Sequence, residues 1–182
     1  MKSIEEQLTG YAAYHRDTRN ILTHFIGIPM IVLAMAILLA RPAWMAGDVA
    51  LTPALALTVA MVAYYLRLEL RLGALMAAWM ALNLWLATWI ASQGNAAWWG
   101  GGIGLFVVGW AFQFVGHYYE GRKPAFVDDV MGLAIGPLFV AAEALFALGF
   151  RRELQATIES AVGPTRRTGV TPATQGTTAT PR

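Results

Sequence analysis

The sequence predicts an all-α, polytopic membrane helix bundle with about four spanning helices, an interfacial helix at the N-terminus and a re-entrant fifth apolar segment. Three observations carry that prediction. The 182 residues are 57% hydrophobic and only 13% charged, about half the charged share of an ordinary soluble domain. The mean hydropathy is +0.51. The charges cluster between apolar runs long enough to cross a hydrocarbon core. A single membrane domain is expected over 1–152 and a disordered tail over 160–182.

Ser3 precedes two glutamates, an N-cap followed by acids in a first helical turn. Ile4, Leu8 and Tyr11 then fall at helical spacing on one face, giving a short amphipathic helix to about Tyr14. Such a helix lies on the membrane surface or packs on protein. No cleaved signal is expected, because acids and aromatics stand where a signal peptide carries its apolar core. The first span covers 20–40 without a charge, ~30 Å at ~1.5 Å per residue, and Pro29 kinks it. A second span, 49–66, ends at the charged knot Arg67–Arg71, and a third covers 72–91. Trp98 and Trp99 are interfacial anchors. The fourth span, 100–116, carries Gly100, Gly101, Gly102, Gly104 and Gly109, which let neighbouring helices approach.

Val130–Phe150 is apolar again but holds Gly136-Pro137 and a glutamate, Glu143. Counting positive charges decides how it sits. A cytoplasmic N-terminus gives that side Lys2, Arg16, Arg19, Arg67, Arg71, Arg122 and Lys123, and the far side Arg41 alone. The arginines after Phe150 stay with the majority only if 130–150 re-enters or lies in the interface, with the break expected at Gly136-Pro137. The expected location is a bacterial inner membrane with the N-terminus inside, or the endoplasmic reticulum in a eukaryote.

With no cysteine, the chain has no disulfide, thiolate nucleophile, iron–sulfur cluster or Cys-bound zinc. A net charge of +2, with basic residues flanking apolar runs, argues against a nucleic-acid partner. The three histidines, His15, His24 and His117, all fall at one membrane face in this topology. Glu120 follows His117 by three residues and shares its helix face. Imidazoles with a carboxylate suit Fe(II), Mn(II) or Zn(II). His15 and His24 are nine residues apart, so both face one ion only if the chain turns between them; Asn20 is able to cap the span after that turn. The plainer alternatives are an interfacial hydrogen-bonding role for each histidine, a Glu120–Arg122 surface pair, and a Glu143 bridge to Arg151 or Arg152.

Three stretches carry a family resemblance: YHRDTRNILTHFIGIP (14–29), QFVGHYYEGRKPAFVDD (113–129) and GPLFVAAE (136–143). Over about 4–150 the chain resembles the yeast 2-hydroxy fatty acid dioxygenase family of small membrane proteins, formerly a domain of unknown function. The resemblance implies an Fe2+ enzyme that takes a 2-hydroxy long-chain fatty acid and O2 in the bilayer and releases CO2 and an acid one carbon shorter. It implies His15, His24 and His117 as metal ligands; beside them Glu120, as the carboxylate partner of the ion, Arg122 and Lys123 stand as catalytic candidates. Arg16, Arg19 and Asn20 become candidates for binding substrate, with Arg16, Arg19, Arg122 or Lys123 holding its carboxylate. Gly27, Pro29, Gly136, Pro137 and Glu143 are structural candidates. The competing expectations are a metal-dependent lipid hydrolase using the same cluster, and a small transporter or scaffold without enzymatic activity.

Overall fold

The computed structural model describes residues 2–47 and 49–166. Helix α1 (Ile4–Ala12) opens with a capping box in which Ser3 and Glu6 bond each other's backbone N–H, and it buries Ile4, Leu8 and Tyr11. A five-residue turn leads to α2 (Thr18–Leu39), whose N-cap is Asp17, accepting from Arg19 N–H. The cap falls at Asp17 rather than Asn20, because Asn20 is already inside the helix and its amide is used elsewhere. Pro29 sits within α2 without ending it.

An antiparallel hairpin follows, β1 (Trp44–Ala46) with β2 (Val49–Leu51). Helix α3 (Pro53–Leu68) therefore starts later than the apolar run does. Thr52 caps it through Leu55 N–H and Pro53 takes its first position, a strong local start signal that overrides hydropathy. Glu69 alone separates α3 from α4 (Leu70–Ser92), capping α4 through the N–H groups of Arg71 and Leu72. Helix α5 (Asn95–Glu120) ends on Gly121 in the left-handed conformation (φ +69°). A single 3₁₀ turn (Ala125–Val127) leads to α6 (Met131–Ala147), and α7 (Arg152–Val162) follows at 113° to α6.

Helices α2, α4 and α5 are long and apolar enough to span a membrane, and α3 is apolar but only 16 residues long. They alternate in direction. Arg41, after α2, reaches the Ala91 carbonyl at the end of α4 and Asn95 at the start of α5, and Trp98 donates to the Ile37 carbonyl. At the opposite end, Tyr64 at the end of α3 accepts from Gln7. Helix α6 begins and ends at this second end: Asp129 before it pairs with Lys2, and Arg151 after it pairs with Glu69. The expected interruption at Gly136-Pro137 is not there. The helix runs through both residues, and the chain reverses at 148–151 instead.

The core lies at the same end. Leu8, Tyr65, Met76, Leu138, Phe139 and Ile158 pack together there, drawn from α1, α3, α4, α6 and α7. The stretch expected to be disordered from 160 starts inside α7. It continues as a strap whose Arg166 N–H donates to the Arg16 carbonyl, while Thr18 N–H donates to the Arg166 carbonyl. The rest of that stretch, 167–182, lies outside the described residues.

Candidate metal centre

Helices α2 and α5 set the site, and glycine sets their separation. Gly102, Gly109 and Gly116 recur every seven residues along α5 and face Leu38, Ile31 and Thr23 of α2. A Cβ on Gly109 would stand 2.8 Å from Ile31 Cγ1, so only glycine lets the backbones approach this closely. Gly27 answers from α2, lying against Gly109 and the Gln113 amide. Gly100 and Gly104, expected to share this role, face open space, and Gly101 is close to the Ile90 side chain of α4, 3.3 Å from where its Cβ would stand. The antiparallel pairing brings His24, near the start of α2, level with His117, near the end of α5. The 13–17 turn folds His15 back over both.

All three imidazoles are buried, and each can offer a nitrogen so that the three lie within 4.8 Å of one another. The rings meet edge to face at 67–81°, with centroids 4.5–5.1 Å apart. His15 Nδ1 lies 2.7 Å from the Tyr11 carbonyl and His24 Nδ1 lies 2.8 Å from the Asn20 carbonyl, each four residues back. A carbonyl only accepts, so both Nδ1 atoms carry the proton and both Nε2 atoms present lone pairs. Those two Nε2 atoms are 3.1 Å apart. Burial, reinforced by His24 beside it, holds the His15 imidazole well below its ordinary protonation range. Two lone pairs at this distance repel unless a cation lies between them. Nitrogens ~2.1 Å from one ion at angles of ~90–109° stand ~3.0–3.4 Å apart, so the spacing suits a shared metal. His117 adds a buried Nδ1 with no hydrogen-bond partner. The donor set therefore fits a metal ion, held by three neutral nitrogens with two orientations fixed by backbone carbonyls.

Glu120 does not join the imidazoles. Its Oε2 accepts from Arg16 N–H at 2.9 Å, Asp17 N–H at 2.7 Å and Asn20 Nδ2 at 3.1 Å, and its Oε1 accepts from Arg166. This carboxylate ties the turn carrying His15 to the end of α5 carrying His117. The Glu120–Arg122 pair weighed from the sequence is replaced by these contacts. Arg16 is buried and donates to the carbonyls of Ala12, His15 and Gly163, with Glu143 at 3.6 Å. Glu143 thus pairs with Arg16, and Arg151 goes to Glu69. Arg19 pairs with Asp17 and lies over the Tyr119 ring. Arg122 donates to the Ala13 carbonyl and Lys123 pairs with Asp128 at the surface.

A cavity of about 60 Å³ adjoins the centre, between α2, α5 and α6. Tyr11, His24, Gln113 and His117 line its polar end, and Pro137 and Gly136 lie on its α6 wall. From there Ile28, Ile31, Val32 and the exposed Leu133 lead outward. Arg16, Arg19, Arg122 and Lys123 do not line it. Two polar residues at this end, Tyr11 and Gln113, are not among the site candidates that the sequence offers. Tyr11 stacks flat on His15, with centroids 4.1 Å apart and an interplanar angle of 4°, and its carbonyl orients that ring. Its spacing of four residues from His15 on a helix was the available signal. Gln113 stands four residues before His117 on the same face of α5, and was visible only as part of a motif.

The profile of the family described as 2-hydroxy-palmitic acid dioxygenase Mpo1-like matches residues 1–148. The chain is also 35% identical over 160 residues to the 2-hydroxy-palmitic acid dioxygenase MPO1 of Saccharomyces cerevisiae, covering 86% of this chain and 87% of that protein. No solved structure matches it.

Proposed function

The chain belongs to the Mpo1-like family, and on that footing we propose that it is an Fe2+-dependent dioxygenase of 2-hydroxy long-chain fatty acids. One 2-hydroxy acid and one O2 would give CO2, water and the fatty acid one carbon shorter. The C1–C2 bond breaks, C2 becomes the new carboxyl carbon, and four electrons pass from the substrate to O2. The observation that carries this reading is the buried triad, whose two Nε2 lone pairs meet at 3.1 Å.

His15, His24 and His117 would hold the iron, which supplies Lewis acidity and the means of engaging O2. The protein's own contribution is orientation and enclosure. The carbonyls of Tyr11 and Asn20 keep two imidazoles neutral and aimed inward. Glu120 holds the turn that positions His15, acting on the centre from outside rather than as a ligand. Tyr11, stacked on His15, closes the side facing α6. The acyl chain would follow the apolar walls of the cavity toward the bilayer, where such a substrate concentrates. Placing the triad end of the bundle in the cytoplasm agrees with the excess of Lys and Arg there.

Metal analysis of protein purified in mild detergent tests the proposal, with wild type beside His117→Ala. Near-stoichiometric iron in wild type, its loss in the variant, and O2-dependent conversion of 2-hydroxypalmitate are the expected results. Wild type that stays empty when Fe(II) is supplied anaerobically would overturn the reading, and turnover without O2 would favour a hydrolase.

A further inference from the structure

Residues Trp110, Gln113 and His117 fall at i, i+3 and i+7 on α5 and line one wall of the cavity beside the triad. In each of the three, a buried ring or amide nitrogen has no hydrogen-bond partner: Trp110 Nε1, Gln113 Nε2 and His117 Nδ1. Buried polar groups are ordinarily satisfied, and an orphan costs its full desolvation. Only five such atoms occur among the described residues, so three along one cavity wall form a concentrated deficit. An ion held by the triad would account for His117. Trp110 and Gln113 remain, and neither suits the ion: indole N–H only donates, and the amide nitrogen has no lone pair to offer.

Both donors call for an oxygen. Gln113 is 5% exposed, held against Gly27, where any side chain on α2 would displace its amide. Placing a hydrogen-bonding amide there cost α2 a side chain, in a helix otherwise built of apolar residues at this depth. The Gln113 backbone lies about 6 Å deeper along α5 than that of His117, four residues at ~1.5 Å each, and its side chain lines the same polar end of the cavity as His117. A lipid whose carboxylate sits at the imidazoles passes Gln113 with the carbons next to its head group, and then meets Ile31 and Val32 with its tail.

Resting on the function proposed above, we propose that Gln113, supported by the Trp110 indole one turn deeper, recognises the 2-oxygen of the substrate and separates 2-hydroxy acids from unsubstituted fatty acids. The metal centre without Gln113 would bind an acid; with it, the site selects one oxygenated at C2. Gln113 acts as a recognition residue and leaves the iron ligands untouched.

The test uses the full-length, iron-loaded protein in detergent and measures dissociation constants for 2-hydroxypalmitate and palmitate, alongside iron content and thermal unfolding. Wild type is expected to prefer the hydroxy acid. Gln113→Leu should weaken 2-hydroxypalmitate about tenfold, the loss of one buried hydrogen bond, while palmitate changes less than about twofold. Trp110→Phe should reduce the same preference, and iron content should match wild type in both variants. Gln113→Glu retains the side-chain volume and replaces the donor by an acceptor, so it should lose the preference even if the leucine variant folds poorly. Equal weakening of both acids, or no change in either, overturns the inference while iron bound by wild type leaves the metal centre standing. Wild type that binds no iron overturns the function and this inference together.

Discussion

Replacing Glu120 by alanine would strand the N–H groups of Arg16 and Asp17 and the Asn20 amide in a site where the carboxylate side chain is 1% exposed. Leaving several buried donors unpaired costs about 2–4 kcal/mol in total, since each orphan costs roughly 1–3 kcal/mol with partial relaxation. The structural cost and the functional cost coincide here, because those donors belong to the turn that carries His15. The Glu120→Ala protein should unfold at lower temperature and retain less iron, read by calorimetry and mass spectrometry on one preparation. Unchanged iron content in a destabilised variant would show that His15 keeps its place without this tether. The remaining cations are distributed differently from what their charge suggests. Arg16 is a buried bracket for the His15 turn, whereas Lys123 is a surface partner of Asp128.

The α2–α5 pair is where element-level packing meets the site. Lipid offers no hydrophobic reward for helix association, so close van der Waals contact has to supply it, and small residues make that contact available. Gly109 sits at the middle of the seam, in contact with both Ile31 and the Gly27 backbone. Gly109→Ala should push the helices apart and destabilise the protein by about 1–3 kcal/mol, the range for overpacking. Its separation of His24 from His117 should also lower iron occupancy. Gly104→Ala is the matched control on the same helix. A Cβ there meets nothing within 4 Å, so stability should stay level or rise slightly through helix propensity. Thermal unfolding of the two variants in detergent reads the difference; equal effects would mean that the glycine seam does not set the helix spacing.

At the scale of the whole molecule, the bundle has two unlike ends. One carries α1, the His15 turn, the α3–α4 junction, the end of α5 and both ends of α6. The other carries the 44–51 hairpin, Arg41 and the α4–α5 connection. The triad belongs wholly to the first. The chain has no cysteine, so single introduced thiols report sidedness cleanly. With the triad end in the cytoplasm, Gln93→Cys in intact cells should react with a membrane-impermeant maleimide, and Arg67→Cys should react only after lysis. The reverse pattern would invert the orientation and leave the two-ended architecture unchanged.

Much of this was legible in the linear sequence, for physical reasons that can be named. Helical spans follow from hydropathy because every backbone polar group in lipid must be satisfied within its own segment. Ser3 and the Thr52-Pro53 pair act on neighbouring backbone groups, so their signals are local, although the second was obscured by the apolar run starting at Val49. The arginine count placed both ends of the fifth apolar segment at one end of the bundle, as the pairs Lys2–Asp129 and Arg151–Glu69 do in the structure. The histidines were recognisable as a group because the chain has only three and alternating helix directions deliver them to one end. What required the fold was every assignment made by a through-space neighbour. Spacing suggested Arg122 for Glu120 and Arg151 or Arg152 for Glu143; the Glu120 carboxylate instead meets the Arg166 guanidinium and the Arg16 N–H, 46 and 104 residues away, and Glu143 meets the side chain of Arg16, which a turn holds that no local pattern specifies. Which glycines face a helix, and that Gln113 lies unpaired beside the triad, likewise depend on the rotation of α5 against α2. Sequence alone determined the solvent, the principal apolar helices and the chemical groups available, while the 44–51 hairpin and α7 appeared only in the fold. Tertiary structure decided which groups meet, because contact energies fall off within a few ångströms and so depend on distances the linear order does not contain.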